Sequence, residues 1–281
     1  ATCLAGSIAH DALVRRVNQL YHDLTQDIFD AEHHHRHRAE QAFWIDVAQQ
    51  ALASSSASRT VVDLACGTGF VTRLLGRVMR TQDTLIAMDV STAAMNTTAR
   101  RWSENHPNCS GPPRLVRLAG DGQHLPLPPG CVDLFAMNAG LHHVPDPAAA
   151  LREIDRVLKP GGLFALGFEP NIRHFASPLV QLSRGFDRLA WYVSPRQNLR
   201  RICQRLGAGN GSGGGIPERE QIAIRQLNRR LMQEGVVAEP LTAEIILDLV
   251  DPHARGAESA AGFGAVSLLR QYFGDYQILR L

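Results

Sequence analysis

The sequence of 281 residues has very little lysine and only 6% aromatic residues. Its single lysine, Lys159, stands between the end of a predicted helix and a Pro-Gly-Gly turn. Schiff-base chemistry needs a lysine that is desolvated in a pocket, so this position disfavours enzymes that use pyridoxal phosphate. The five cysteines include no C-x-x-C pair and are odd in number. This predicts a reduced, cytoplasmic protein without a disulfide framework or a zinc knuckle.

Long apolar runs are absent as well. No stretch of 18 apolar residues occurs, and the N-terminus shows no basic region followed by an apolar run, so neither a membrane span nor a signal peptide is predicted. A net charge of +2 favours neither a dedicated nucleic-acid binder nor a strongly acidic partner. We therefore expect neither nucleic acid nor a membrane as partner, although the arginines of residues 184–205 leave RNA or an anionic substrate open. The oligomeric state stays open, a homodimer included.

From residue 60 the sequence alternates apolar, β-branched runs with amphipathic helical segments. Strands are predicted over residues 60–65, 84–90, 114–121, 132–138 and 163–170. Ser91, Asp146 and Thr242 stand where each can cap the helix that follows, and Pro147 suits the first helical position. This alternation predicts an α/β fold with a parallel sheet covered by helices on both faces. Ligands bind such sheets in a crevice at the carboxyl ends of the strands.

The flanking segments have a helical pattern. Residues 11–30 are predicted to form one amphipathic helix, and a second reaches about Ala53 after the run "HHHRHR" at 33–38. His33 and His37 would share a helix face, but no neighbouring Cys, Asp or Glu completes a site, so no metal is predicted. Helices are also expected at about 176–206, 217–235 and 242–250, with a glycine-rich loop at 207–215 and a last strand at "YQILRL".

The stretch "VVDLACGTGFVT" at residues 61–72 is a strand that ends in a glycine turn. Glycines at 67 and 69 let a ligand approach the backbone, but the third glycine of a dinucleotide fingerprint is missing. Asp63, inside the strand before the turn, suits a ligand that carries an ammonium group. Asp89, about 20 residues after the last glycine, suits ribose hydroxyls, which both NAD and S-adenosylmethionine (SAM) contain.

Five segments in order resemble the motifs of the class I SAM-dependent methyltransferases over roughly residues 60–170. They are "VVDLACGTGF", in which Ala65 replaces the first glycine of the family motif, "LIAMDVS" with Met95, "AGDGQHLPLPPGCVDLF", "NAGLHHVPDP" and "IDRVLKPGG". A single glycine turn would be a weak signal, whereas five motifs in the right order are specific. The resemblance implies a Rossmann-like fold with a mostly parallel seven-stranded sheet, and SAM as the cofactor.

The resemblance also implies roles for individual residues. Ala65, Gly67 and Gly69 would line the methionine part of SAM, and Asp63 would help to hold its amino group. The remaining implied contacts are Asp89 on the ribose, Met95 or Val90 on adenine, Asp121 on the adenine amino group with Gly122 beside it, and Asn138 and Ala139 through their backbone near the sulfonium. If the N-terminal helices close over the crevice, as in the family, Tyr21 or His33 would touch SAM or substrate.

Candidate catalytic residues follow the fourth strand. His142 and His143 are both candidate bases, because histidine takes a proton near neutral pH. The family often has a structural histidine at the position of His143, so capping or packing is the alternative role. Glu169 would contact substrate or pair with an arginine such as Arg173. His174 and the segment "DPH" at 251–253 are weaker candidates.

These observations predict a SAM-dependent methyltransferase that acts on a small molecule, with O-methylation of a secondary metabolite favoured. The expected organisation is an N-terminal helical lid (1–58), the SAM-binding core (59–170), a helical substrate lid inserted after the fifth strand (171–240), and a C-terminal helix and strands that complete the sheet (241–281). Three alternatives stay open. They are a SAM-binding cyclase that methylates nothing, an NAD-dependent oxidoreductase, and a non-catalytic methyltransferase subunit.

Overall fold

A computed structural model of the protein describes residues 10–53, 57–105, 113–169 and 218–252, together with Ile216 and Phe273. The elements in chain order are α1 (His10–Leu52), β1 (Thr60–Leu64), α2 (Phe70–Val78), β2 (Thr84–Asp89), α3 (Thr92–Asn105), β3 (Arg114–Ala119), β4 (Val132–Asn138), a short 3-10 helix (Leu141–His143), α4 (Pro147–Val157), β5 (Leu158–Gly167), α5 (Glu218–Gln233) and α6 (Ala243–Val250).

The five described strands form one parallel sheet in the order β3-β2-β1-β4-β5. Each strand is apolar because both faces of the sheet are covered. The side chains of Phe135 and Met137 pack with α4 on one face, and those of Leu134 and Ala136 pack with α1 and α2 on the other. The strand order reverses between β1 and β4, and in such sheets this point opens a crevice at the carboxyl ends of the strands.

All five strands predicted from the sequence are confirmed, although β5 begins at Leu158 rather than at residue 163. The pairing of β4 with β5 is irregular at the Lys-Pro-Gly-Gly segment. Val132 of β4 pairs with Leu158, but Leu134, two residues further on, pairs with Leu163, five residues further on. The predicted helix at 176–206 and the strand "YQILRL" lie outside the described residues. The structure shows five strands in its described part, and the seven that the resemblance implies stay a prediction.

The predicted helix caps are also present. Asp146 accepts the backbone N–H of Ala149 at 2.9 Å, and Ser91 Oγ accepts that of Ala94 at 3.0 Å. Thr242 accepts the backbone N–H of Ile245 at 3.3 Å. These bonds satisfy amide groups that have no partner inside the first turn of a helix.

The N-terminal segment is one helix of 43 residues, whereas two were predicted. No glycine or proline interrupts residues 10–52, and histidine and arginine are both tolerated in helix interiors, so the "HHHRHR" run does not break the helix. The first half of α1 packs on α5 and α6 through Val14, Val17 and Leu20. The second half packs through Trp44 and Ala48 against α2 and the sheet.

None of the helices in the described part of the chain combines the length and apolar character that a membrane span requires.

Candidate functional site

The turn between β1 and α2 has three residues in the left-handed region, with φ of 56° at Ala65, 51° at Gly67 and 82° at Gly69. A Cβ at Gly67 would meet no atom within 4 Å, so the turn is open on that side. A Cβ at Gly69 would come within 2.7 Å of the Thr98 side chain, so Gly69 allows α3 to pack closely. The turn thus presents bare backbone to the crevice.

Asp63, near the end of β1, is buried beside this turn with 1% of its surface exposed. Thr72 Oγ1 donates to Asp63 Oδ2 at 2.6 Å. Among the described residues, Asp63 Oδ1 is buried without a hydrogen-bond partner. Burial, with a smaller contribution from the charge of Asp89, raises the pKa of Asp63 to about 7. A cationic ligand at this oxygen would satisfy it and stabilise its ionised form.

Asp89 ends β2 and holds the glycine turn in place. Its Oδ2 accepts the backbone N–H of Gly67 at 2.8 Å, and its Oδ1 accepts that of Ser91 at 2.8 Å. Burial raises the pKa of Asp89, while these two amides oppose that shift. A carboxylate oxygen has two lone pairs, so each oxygen can still accept a hydroxyl group. Asp89 can therefore still accept hydroxyl groups, as its predicted role on the ribose requires.

The residues predicted to surround adenine lie along the β2 and β3 ends. Met95 is buried against Cys66 and Ala87, and Val90 is half-buried. Asp121 Oδ2 forms an ion pair with Arg15 Nη1 of α1 at 3.0 Å, and its Oδ1 accepts the backbone N–H of Gln123 at 3.0 Å.

Gly122, next to Asp121, is in close contact with β1. A Cβ at this position would come within 2.8 Å of the Leu64 side chain. Sequence reasoning did not find Arg15, because the contact joins residues 106 positions apart.

The end of β4 is covered by α1. Trp44 Nε1 donates to the side-chain oxygen of Asn138 at 3.2 Å, and the Asn138 amide donates to Glu40 at 3.3 Å. The side chain of Asn138 is thus directed to α1.

Ala139 has a φ of 50°, and its N–H donates to the Gly167 carbonyl at 2.8 Å. This N–H already has a partner in the described structure, so of the predicted backbone contacts its carbonyl is the better candidate.

His142 and Glu169 form a buried pair next to Ala139. His142 Nδ1 lies 2.8 Å from Glu169 Oε2, and the backbone N–H groups of Gly140, Leu141 and His142 also donate to Glu169. Glu169 was expected to contact substrate or Arg173. It caps the 3-10 helix and orients His142. The pairing with Arg173 stays a prediction, because Arg173 lies outside the described residues. Burial lowers the pKa of His142, and Glu169 only partly offsets this.

His143 has a carboxylate partner of its own, Asp251, at the C-terminal end of α6. Its Nδ1 lies 2.6 Å from the Val250 carbonyl and 3.0 Å from Asp251 Oδ1. Burial lowers the pKa of His143, but the hydrogen bond and charge of Asp251 outweigh burial and raise that pKa above its ordinary value. The His142 and His143 rings lie 4.0 Å apart between centroids. The donor atoms of His142, His143 and Asp251 lie within 4.8 Å of one another.

The first half of α1 also contacts this part of the site. The His22 ring contacts the His143 ring edge-on at 5.1 Å, and burial lowers the pKa of His22 to about 3, with a further contribution from His143. Asp23 accepts from Ser91 Oγ at 2.6 Å, which ties α1 to the start of α3. Tyr21, predicted to touch SAM or substrate, donates its hydroxyl to Glu220 of α5 at 2.7 Å.

Some expectations lie outside what the structure describes. His33 and His37 belong to α1, but their side chains are outside the described residues, and so is His174. His22 and Trp44 were not predicted as part of this region. Each is one residue of an amphipathic helix, and nothing in the local pattern separates it from ordinary core positions.

The donor set fits SAM. Asp63 offers a buried, unpaired carboxylate oxygen at the place predicted for the amino group, and Gly67 leaves open space where a side chain would block the turn. Asp89 adds a carboxylate at the end of β2, where ribose hydroxyls would lie. A nicotinamide dinucleotide offers no ammonium group for Asp63, so the unpaired oxygen favours SAM.

Comparisons with known proteins point to the same class of enzyme. Residues 62–166 match the family described as "Methyltransferase domain". The chain is 31% identical over 182 residues to the 2-phytyl-1,4-naphtoquinone methyltransferase of Thermosynechococcus vestitus, covering 65% of this chain and 70% of that protein. It is 27% identical over 161 residues to the ubiquinone/menaquinone biosynthesis C-methyltransferase UbiE of Enterobacter sp., covering 57% of this chain and 58% of that protein.

A solved SAM-dependent methyltransferase from Aquifex aeolicus is 23% identical, with a TM-score of 0.36, over 42% of this chain and 62% of that one. The sequence relatives, rather than this structural likeness, establish the family. The chain belongs to the class I SAM-dependent methyltransferases. It is a SAM-dependent enzyme, as the five motifs predict.

Proposed function

We propose that this enzyme transfers the methyl group of SAM to a hydroxyl oxygen of a small natural product. The observation that supports this is the pair of carboxylate-oriented histidines, His142 and His143, at the end of β4 beside the crevice. A hydroxyl is a poor nucleophile until its proton leaves, so an O-methyltransferase gains from a base at this place.

SAM, when bound, supplies an electrophilic methyl group on its sulfonium. The protein's own contribution is to position the reactants and to move one proton. Asp63 would hold the amino group, Asp89 the ribose hydroxyls and Gly67 the backbone contact at the turn. Transfer requires the acceptor oxygen, the methyl carbon and the sulfur to lie in line, so rigid placement of both ligands accounts for much of the rate enhancement.

The proton of the acceptor would pass to the Nε2 atom of an imidazole. Both rings have Nδ1 beside an oxygen acceptor, Glu169 for His142 and Val250 and Asp251 for His143. Such a bond places the proton on Nδ1 and leaves the lone pair on Nε2. The His143 side chain keeps 24% of its surface exposed and that of His142 10%, which favours His143 as the ring that reaches the acceptor.

The proposal includes the four-part organisation of the chain. The segment 1–58 would act as a lid through α1, which is anchored to the crevice by Arg15 and Asp23. Residues 171–240 would add the rest of the lid, and residues 241–281 would add α6 and the two strands that complete a seven-stranded sheet. A lid of this kind excludes water and encloses a small acceptor better than a macromolecule.

Methylation of a ring carbon of a hydroquinone is the second candidate. It is favoured by the names of two relatives, one a 2-phytyl-1,4-naphtoquinone methyltransferase and the other a C-methyltransferase of ubiquinone and menaquinone biosynthesis. Carbon attack by a hydroquinone also needs loss of a hydroxyl proton, so the same histidines would serve both reactions.

Incubation with SAM that carries a labelled methyl group tests these functions. We expect label in the small-molecule fraction of a cell extract, and none in the RNA or protein fractions. The label should be lost with Asp89→Asn and retained with Asp133→Asn, whose carboxylate pairs with Lys159. Carbon-13 NMR of the product distinguishes an O-methyl from a C-methyl group. Label in RNA or protein would overturn the small-molecule assignment, and SAM binding without any label would favour a non-methylating cyclase.

A further inference from the structure

The C-terminal end of α6 contributes to the candidate base, although it lies outside the matched family region 62–166. Val250 is the last residue of α6 and Asp251 is its C-cap. Both residues reach His143 at its Nδ1 atom, at 2.6 Å for the Val250 carbonyl and 3.0 Å for Asp251 Oδ1. A segment that follows the methyltransferase core by more than 80 residues thus meets the histidine after β4.

The Val250 carbonyl fixes the tautomer of His143. A carbonyl oxygen can only accept a hydrogen bond, so a separation of 2.6 Å requires that Nδ1 carry a proton. The same proton lies within reach of Asp251. The lone pair of neutral His143 is therefore on Nε2, the atom at which a proton from an acceptor would arrive. This also disfavours a metal at Nδ1, since a metal ligand needs that lone pair.

The titratable groups around His143 come from several elements. They are His142 of the 3-10 helix, Glu169 after β5, Asp251 after α6, His22 of α1 and Asp89 of β2. His142 is already paired with Glu169, and His22 is held neutral by burial. Of the two carboxylates next to the imidazoles, Asp251 is the one in contact with His143.

We propose that Asp251, together with the Val250 carbonyl, positions His143 to take the proton of the hydroxyl group that is methylated. The C-terminal end of α6 thereby completes the active site. Asp251 is a positioning residue: it orients the ring and stabilises the imidazolium that forms when the acceptor loses its proton. The O–H bond of the acceptor breaks as the Nε2–H bond forms, and the new O–CH₃ bond forms as the S–CH₃ bond breaks. This inference rests on the proposed function.

The first test needs no acceptor. Histidine nitrogens of the full chain, labelled with nitrogen-15, report the tautomer and the titration of each ring by NMR, and His143→Gln identifies the signals of His143. We expect the Nδ1–H tautomer in the wild type. We expect Asp251→Asn to shift the His143 titration to lower pH, because a negative charge is removed from an imidazolium. The matched control is Asp248→Asn, an exposed position of the same helix.

The second test measures methyl transfer against pH with 1,4-dihydroxynaphthalene as the probe. Activity should rise with pH as His143 loses its proton. Asp251→Asn should lower the plateau of kcat/KM about tenfold or more and move the acidic limb to lower pH, while Asp251→Glu should restore part of both. A purely structural role would lower the rate without moving the limb.

The outcomes separate the two proposals. An Nε2–H tautomer, or a His143 titration unmoved by Asp251→Asn, would overturn the role of Asp251 even if methylation occurs. Saturable binding of Zn²⁺ alone that displaces the Nδ1 proton would overturn it in favour of a metal site. An intact Nδ1–H tautomer with the expected shift, but no transfer to the probe or to any extract fraction, would overturn the proposed function instead.

Discussion

The carboxylate of Asp89, at the end of β2, accepts the backbone N–H of Gly67 at 2.8 Å. This bond joins the second strand to the glycine turn, two segments whose motifs are separate in the sequence. One side chain thus fixes the turn that would face the methionine part of SAM and provides the carboxylate that would face the ribose. Its substitution is expected to affect both contacts.

Asp89→Asn should weaken SAM binding roughly 10-fold to 100-fold, since it removes a charged acceptor and replaces one oxygen by a donor that faces an N–H group. Isothermal titration calorimetry measures the change. Asp133→Asn, which alters a carboxylate at the opposite end of the sheet, should leave the affinity unchanged. Equal affinity of wild type and Asp89→Asn would contradict the assignment of Asp89 to the cofactor.

The affinity for SAM should increase with pH through about 7, because the pKa of Asp63 is raised to about 7 and its ionised form is the one that accepts an ammonium group. Binding should release a proton below that pH. Calorimetry in buffers of different ionisation enthalpy detects this release. In Asp63→Asn the affinity should be weaker and its pH dependence near neutrality lost; a pH profile identical to the wild type would exclude Asp63 as the amino-group ligand.

The same group affects the stability of the unliganded fold. The native pKa of Asp63, about 7, exceeds the value near 3.9 expected in the unfolded chain. The contribution of Asp63 to stability is therefore fully present below about pH 4 and is lost as pH rises through about 7. Denaturant unfolding should show this slope in the wild type and less of it in Asp63→Asn. An unchanged slope would mean that another group carries the linkage.

Ala65→Gly should stabilise the protein by roughly 0.5–1 kcal/mol, because Ala65 has a φ of 56°, where glycine carries no Cβ penalty. Gly140→Ala should destabilise it, since the added Cβ would come within 2.5 Å of the Ala65 Cβ. The double variant should recover part of that loss. Urea unfolding of the four proteins gives the coupling free energy, and additive effects would show that the two positions are not in contact.

Arg15→Gln should accelerate SAM association severalfold, because the ion pair of Arg15 with Asp121 ties α1 to the predicted adenine site. The effect on stability should stay within about 1 kcal/mol, as is typical of partly exposed ion pairs. Stopped-flow measurement of tryptophan fluorescence follows binding. Arg16→Gln, which releases Glu234 just after α5 instead, is the matched control. Association that is equally fast in both variants and the wild type would exclude Arg15 as a restraint on the adenine site.

The sequence alone determined the sheet and the cofactor class. Apolar, β-branched runs alternating with amphipathic helices predict a parallel sheet because such strands are buried on both faces. The motifs around Asp63, Gly67 and Asp89 are local, and each lies at a strand end. Local patterns of this kind can be read from neighbouring residues, so the turn, the strand ends and the SAM family were all predictable.

Only the tertiary structure decided how the histidines and α1 are arranged. The His143–Asp251 and Arg15–Asp121 contacts join residues far apart in sequence, and their spacing carries no periodic signal. The side chain of Glu169 turned to His142 because three N–H groups of the 3-10 helix and one imidazole converge on it. The continuity of α1 also required packing, since its two halves are stabilised by different partners, α5 and α6 on one side and the sheet on the other.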